Sequence, residues 1–244
     1  MINKLVLSGT INKYYLGENE SVKWSTKDNV LTIDFMSINK EVIGQVVQEN
    51  FDMEDSELSV FDTKKLLNLL SITSGDLMLS LEKHRNIYTK LHLADTAFNL
   101  TYALADPLLI GKVGTVTEPE WDAVINLEIE DVDNLVKAKS ALKDVNNMLI
   151  SVDKDLNGDN MLLFTFGDEQ GHNNKITYQL YGKINPEPTS IPFNSDMLKN
   201  ILYANKDMVD GTLYLNYSGL IKLEFKSDKS RTKYYIVRKE QSNF

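Results

Sequence analysis

The run Asp153-Lys154-Asp155-Leu156-Asn157-Gly158-Asp159 carries the residue types of the first half of an EF-hand calcium loop, with Gly158 at the sharp-turn position. Position 12 of such a loop supplies a bidentate Glu, and here that position is Phe164. The flanks Met148 to Val152 and Met161 to Phe166 alternate as strands do, so the run reads as an Asn-Gly hairpin turn. Gly111-Lys112-Val113-Gly114-Thr115 has P-loop residue types without the spacing that lets backbone amides cradle phosphates. The three histidines, His84, His92 and His172, fall in or beside expected hairpins and never pair at i, i+4, which gives metal ligation little support. The chain has no cysteine, so thiol nucleophiles, disulfides and Cys-ligated metals are excluded, and no Ser, His and Asp arrangement stands out. The expectation is a protein that is not an enzyme and carries no cofactor and no metal.

What remains with chemical potential is basic. Lys13, Lys64, Lys65, Lys137, Lys139, Lys143 and Lys199, with Lys206 just beyond, fall on or beside the expected helices. They can form a positive face for a phosphate backbone, or simply complement helix C-termini and solvate outer faces. The chain as a whole is acidic, with 26 Lys+Arg against 35 Asp+Glu and a net charge of −9 over 244 residues, which excludes an ordinary basic nucleic-acid binder. Apolar residues are 42% and charged residues 25%, ordinary for globular chains and enough for one large core or two smaller ones. No stretch approaches the roughly 20 apolar residues that span a bilayer, and the N-terminus has no signal-peptide core, so a soluble intracellular protein is expected.

Period-2 alternation dominates the elements that must position these groups: Asn29 to Ser37, Glu41 to Val47, Leu77 to Leu81, Ile87 to Leu93 and Phe98 to Leu104. Short polar links such as Lys27-Asp28-Asn29 and Lys83-His84-Arg85-Asn86 join them as antiparallel hairpins. Helical spacing appears over Ser8 to Leu16, Asp62 to Leu70, Asp131 to Lys143 and Ser195 to Tyr203.

The order of elements repeats. Phe61-Asp62-Thr63 leads into a Leu-rich helix and then a strand from Gly75 to Leu81; Phe193-Asn194-Ser195 leads into a helix and then a strand from Gly211 to Tyr217. Each half also opens with a strand and a helix, Ile2 to Leu7 with Ser8 to Leu16, and Val124 to Glu130 with Asp131 to Lys143. Two copies of one domain follow: residues 1–105, a Pro- and Gly-containing connector over 106–121, and residues 122–244.

This arrangement resembles the DNA sliding clamps, and more narrowly those of T-even and related bacteriophages. The resemblance rests on Val60-Phe61-Asp62 into the Leu-rich helix and Ser71, and on Ala103-Leu104-Ala105-Asp106-Pro107 entering the connector. It rests in the second half on Ile176-Thr177-Tyr178-Gln179-Leu180, Gly211 to Leu215, and Tyr234-Tyr235-Ile236-Val237 with a polar tail ending in Phe244. It implies an α+β fold of two clamp domains, with antiparallel sheets outside and helices on the inner face of a ring. It further implies a polymerase processivity factor in the host-cell cytoplasm, a head-to-tail homotrimer around double-stranded DNA, placed there by an ATP-dependent clamp loader. A closed ring holds a duplex topologically, so an acidic protein needs only a positive lining. Lys13, Lys64, Lys65, Lys137, Lys139, Lys143 and Lys199 are then the DNA-facing candidates.

The resemblance also implies that Ala97 to Leu104 pairs with Ile176 to Tyr181 of a neighbouring subunit, making Asn99, Thr101, Ala103, Tyr178 and Leu180 interface candidates and covering two strand edges. Alternation puts Phe98, Leu100, Tyr102 and Leu104 on the buried face of the first of these strands. DNA polymerase and the loader would insert short apolar peptides into a pocket near the connector and the last strand, at Leu108, Leu109, Ile110 and Val113, with Tyr235 and Val237 beside them. Two other classes compete: a ring-forming β-rich phage structural protein with no DNA in its centre, and a hydrolase whose composite site the sequence does not display.

Overall fold

The computed structural model describes residues 1–167, 174–187 and 190–239. The chain forms two compact units, one of Met1–Thr115 with Asp228–Thr232, the other of Val116–Ser227 with Lys233–Phe244. The division thus falls inside the expected connector, between Thr115 and Val116, and a late stretch of the chain returns to the first unit.

The first unit runs β1 (Ile2–Asn3), α1 (Lys4–Tyr15), β2 (Val22–Lys27), β3 (Val30–Met36), β4 (Val42–Gln48), β5 (Ser56–Val60), α2 (Thr63–Ser71), β6 (Asp76–His84), β7 (Ile87–Ala94) and β8 (Asn99–Ala103). Its strands are antiparallel and lie in the orders β1-β6-β7-β8 and β4-β3-β2-β5. The second unit runs β9 (Ala123–Asn126), α3 (Ile129–Ala141), β10 (Asn147–Lys154), β11 (Asn160–Gly167), β12 (Lys175–Tyr181), β13 (Lys183–Ile184), β14 (Ser190–Asn194), α4 (Ser195–Ala204), β15 (Asp210–Asn216), β16 (Leu220–Lys226) and β17 (Ser230–Val237). Its orders are β12-β11-β10-β14 and β13-β9-β15-β16-β17. Apart from the short β13, the two units match element for element, as a duplicated fold requires.

Local chemistry explains the correspondence. Asp62 caps α2 by accepting from the Lys65 N–H at 3.1 Å, and Asn194 caps α4 by accepting from the Asp196 and Met197 N–H groups, each at 3.1 Å. Each first helix packs on its partner, α1 on α2 and α3 on α4, and buries one stripe: Leu7, Ile11 and Tyr14 in α1, Val132, Leu135 and Val136 in α3. In the first unit the stripe meets Trp24, which sits edge-on to Tyr14 and to Phe51 with centroids 6.4 and 6.3 Å apart. In the second, the largest buried rings are Phe164, Phe166, Phe193 and Tyr234.

The first helix starts earlier than its residue pattern suggests. Asn3 accepts from the Leu5 N–H at 3.0 Å and caps α1 there, so Leu5 and Val6, expected in a strand, stand exposed on the helix. The Asn157-Gly158 turn is a hairpin as expected, because Asp155 Oδ1 accepts from the Asn157 and Asp159 amides at 2.8 and 2.9 Å while Gly158 adopts φ 90. On β8 only Tyr102 is deeply buried; Phe98 is exposed and Leu100 half-buried, contrary to simple alternation.

Residues 228–232 complete the first unit: the Glu49 N–H donates to the Lys229 carbonyl at 2.8 Å, and Arg231 pairs with Glu49 at 2.5 Å.

Asp62 holds φ 60, a left-handed conformation that costs a Cβ-bearing residue energy. Removing either cap, by Asn194→Ala or Asp62→Ala, is expected to cost about 1 kcal/mol, whereas Asp62→Gly costs less because glycine relieves the strain. Urea denaturation checks this; equal losses for Asp62→Ala and Asp62→Gly would refute the strain argument.

Candidate nucleic-acid interface

The helical lysines divide by burial. Lys13 is 5% exposed and its Nζ donates to Ser230 Oγ at 3.2 Å, so it is a packed residue and not a DNA contact. Lys139 is 2% exposed; its Nζ donates to the Lys143 and Leu142 carbonyls at 2.9 and 3.4 Å and pairs with Asp196 at 3.0 Å. It closes the end of α3 and ties it to the start of α4, which removes it too from the candidate lining. Tyr14 does the corresponding work in the first unit, its hydroxyl lying 3.3 Å from Thr63 Oγ1 at the start of α2.

Lys64, Lys65, Lys137 and Lys143 are exposed, and Lys199 is half-exposed. Lys64 and Lys65 occupy the first turn of α2, the positive end of its dipole, in a helix with no acid in that turn. Folding energetics disfavour cations there. The C-terminal complementarity that accounts for Lys13 and Lys139 therefore does not account for Lys64 and Lys65. On α3 and α4 the balance differs: Lys206 pairs with Asp133 at 2.8 Å and holds that carboxyl below the usual range, and Asp131 accepts from the Glu128 N–H at 2.9 Å and from the Tyr178 hydroxyl at 2.8 Å.

Two of the sheet ends, β8 and β12, are the strands expected to pair between copies. Among the described residues β8 pairs only with β7, and β12 only with β11. Asn99, Thr101 and Ala103 are exposed on β8. Two candidates on β12 need correcting. Leu180 is buried in its own unit, and Tyr178 turns to α3, where its hydroxyl meets Asp131 and accepts from Asn134 Nδ2 at 3.3 Å. The backbone edge of β12 and the exposed Lys175, Thr177, Gln179 and Tyr181 are left for another strand; Tyr178 and Leu180 are not.

At the connector, Asp106 Oδ1 accepts from the Leu108 N–H at 2.8 Å and opens a single 3-10 turn, Pro107–Leu109. That turn holds Leu108 and Leu109 at 92% and 75% exposure. Ile110 is buried and Val113 half-buried, so neither is an open anchor; Val237 on β17 is exposed. Tyr235 is buried and its hydroxyl donates to Glu118 Oε1 at 2.5 Å, which also removes it from the peptide-binding candidates. The residue patterns missed this contact because Glu118 lies 117 positions away from Tyr235. A lone Lys222 amid Leu220, Ile221 and Leu223 was the available signal.

His92 Nδ1 lies 3.0 Å from Thr101 Oγ1 and its Nε2 3.4 Å from Glu82; His84 is exposed, and His172 lies outside the described residues, as does Phe244. Among the described residues no group of three His, Asp or Glu side chains is placed to hold a metal ion, and no helix is long and apolar enough to cross a membrane.

Two matching β-rich α+β units with antiparallel sheets and paired helices define the fold of the DNA sliding clamps. The chain is similar over 98% of its length to proliferating cellular nuclear antigen from Entamoeba histolytica, covering 96% of that chain at a TM-score of 0.74 and 14% identity. It is similar over 99% of its length to A. fulgidus PCNA bound to the C-terminal region of FEN-1, covering 98% of that chain at a TM-score of 0.75 and 15% identity. No protein-family model and no curated protein matches the sequence.

Glu at position 139 would put a second acid beside Asp196 and bury its own carboxylate where the Lys139 side chain now lies. Lys139→Glu is expected to lower the melting temperature by more than about 5 °C, while Lys137→Glu on the same helix stays within about 2 °C. Thermal melts followed by circular dichroism decide this, and equal shifts would remove the distinction between packed and free lysines.

Proposed function

We propose that this chain is a DNA sliding clamp, a non-catalytic ring of three copies that encircles duplex DNA and tethers a replicative polymerase. Its loading is assigned to an ATP-dependent loader and its origin to a bacteriophage, from the sequence resemblance. The observation that carries the reading is the pair of unpartnered edges. β4 and β12 are repeat equivalents, and in the first unit residues 228–232 bond to Glu49, directly after β4. The corresponding place beside β12 is empty among the described residues, and β8, the repeat equivalent of β17, is the strand to fill it from a second copy. Heterologous pairing of this kind generates a ring when its rotation closes.

Lys64 and Lys65 support DNA as the occupant, since helix stability does not explain them and an acidic chain gains from placing its free cations where a phosphate backbone passes. Lys137, Lys143 and Lys199 complete that set. The exposed Leu108–Leu109 turn is the proposed anchor for partner peptides, as polymerase and loader segments would require, and the A. fulgidus relative is itself bound by the C-terminal region of FEN-1.

Successive amides on an edge strand point alternately toward the paired neighbour and away from it. Of Leu100→Pro and Thr101→Pro, one therefore removes an outward amide and is expected to yield a folded monomer, while the parent sediments at three times 27.8 kDa. A monomeric parent, or two variants that keep the parental mass, would overturn the ring. Lys64→Glu with Lys65→Glu is expected to leave the fold and the trimer intact and to cut processive synthesis at least about tenfold, more so in higher salt. Unchanged processivity would favour a ring with no DNA in its centre.

A further inference from the structure

Glu118 lies where the connector enters the second unit, and it does not hang free. Oε1 accepts from the Tyr235 hydroxyl at 2.5 Å and Oε2 from Lys222 Nζ at 2.9 Å. Lys222, whose side chain is 7% exposed, also pairs with Glu224 at 3.3 Å. Its ammonium sits 3.9 Å from the ring centroid of Tyr214 and 5.2 Å from that of Trp121, and the two rings are themselves 5.6 Å apart. Burial opposes the charge on Lys222, but the bonds to Glu118 and Glu224 outweigh it and hold the ammonium above the usual lysine range. The Tyr235 hydroxyl and then Lys222 hold the Glu118 carboxyl below the usual carboxylate range, so both partners are charged at neutral pH. A few residues on, Asp122 Oδ2 accepts from the Tyr217 N–H at 2.8 Å and from Asn216 Nδ2 at 3.2 Å.

Before Glu118 the chain is unlike this. Residues 111–117 form no regular element, and Gly111 and Gly114 have nothing within 4 Å of where a Cβ would stand. Ile110, by contrast, is buried. Between Ile110 and Glu118 the connector is mostly exposed, with Val113 and Val116 half-buried.

We propose that Glu118, Tyr235, Lys222 and the Trp121 and Tyr214 rings form a tether that pins the end of the connector to the β15-β16-β17 sheet. Only residues 111–117 are left free, a leash of at most roughly 25 Å. An ion pair on an open surface contributes little, but this one is roofed by two rings and shares its carboxylate with a buried phenol, the setting in which a cation–π contact and a charge-assisted bond hold a segment in one place. Where the chain works as a clamp, the tether sets how far the Leu108–Leu109 turn can travel with a bound peptide; the tether itself rests on no partner, and its test uses the protein alone.

Lys112 is an exposed trypsin site inside the leash, and Trp121 is the more accessible of the two tryptophans, Trp24 being fully buried. Glu118→Ala and Tyr235→Phe are expected to speed cleavage after Lys112 at least about fivefold and to raise iodide quenching of tryptophan emission about twofold. Glu118→Gln, which keeps the shape and one bond, should fall between them and the parent. Circular dichroism confirms the fold of each variant, and Tyr235→Phe, which removes a single oxygen, keeps the test open if Glu118→Ala fails to fold. Parental cleavage and quenching in Tyr235→Phe, or a parent already cut at Lys112 as fast as the variants, would overturn the tether. A failure of the ring or DNA experiments would leave these measurements untouched.

Discussion

A β-strand with one neighbour leaves alternate amides and carbonyls facing outward, and water or another strand must take them up. This chain has such edges at β8 in the first unit and at β12 in the second, at different places of the repeated plan. β8 is five residues long, its outward side chains are Asn99, Thr101 and Ala103, and it carries no proline or charge. Proteins that keep edges solvated generally protect them with such residues. On β12, Tyr178 and Leu180 are committed to their own unit, while Lys175, Thr177, Gln179 and Tyr181 are exposed.

The second constraint is electrostatic. A chain of net charge −9 has no reason to be near nucleic acid unless its few free cations are well placed. Burial performs the sorting. Lys13 and Lys139 serve as internal struts where a helix ends, and Lys206 neutralises Asp133. What is left is small in number, and its strongest members stand at the start of α2, where the helix itself would prefer an acid.

Much of the fold was legible because its signals are local. The paired caps Asp62 and Asn194, the Asn157-Gly158 turn and the strand alternation are all settled within a few residues, and the duplication shows in their order. The candidate site was legible only in part, because it is decided at a distance. Lys139 reads as a surface lysine until Asp196 arrives from 57 positions on in the chain. Tyr235 reads as an anchor until Glu118 meets it. Leu5 and Val6 mimic a strand because the cap at Asn3 is a single residue, and alternation misplaced Phe98 because it lies in the turn before β8, whose pairing begins at Asn99.

The return of residues 228–232 to the first unit has a kinetic side. The Glu49 amide waits for the Lys229 carbonyl, and Lys13 for the Ser230 hydroxyl, a separation of 217 residues in the second case. Contacts so remote in sequence are slow to form, since the loop must close before any contact rewards it. During synthesis the first unit therefore emerges from the ribosome without the residues that complete it. It must stay soluble in that state until nearly the whole chain has been made.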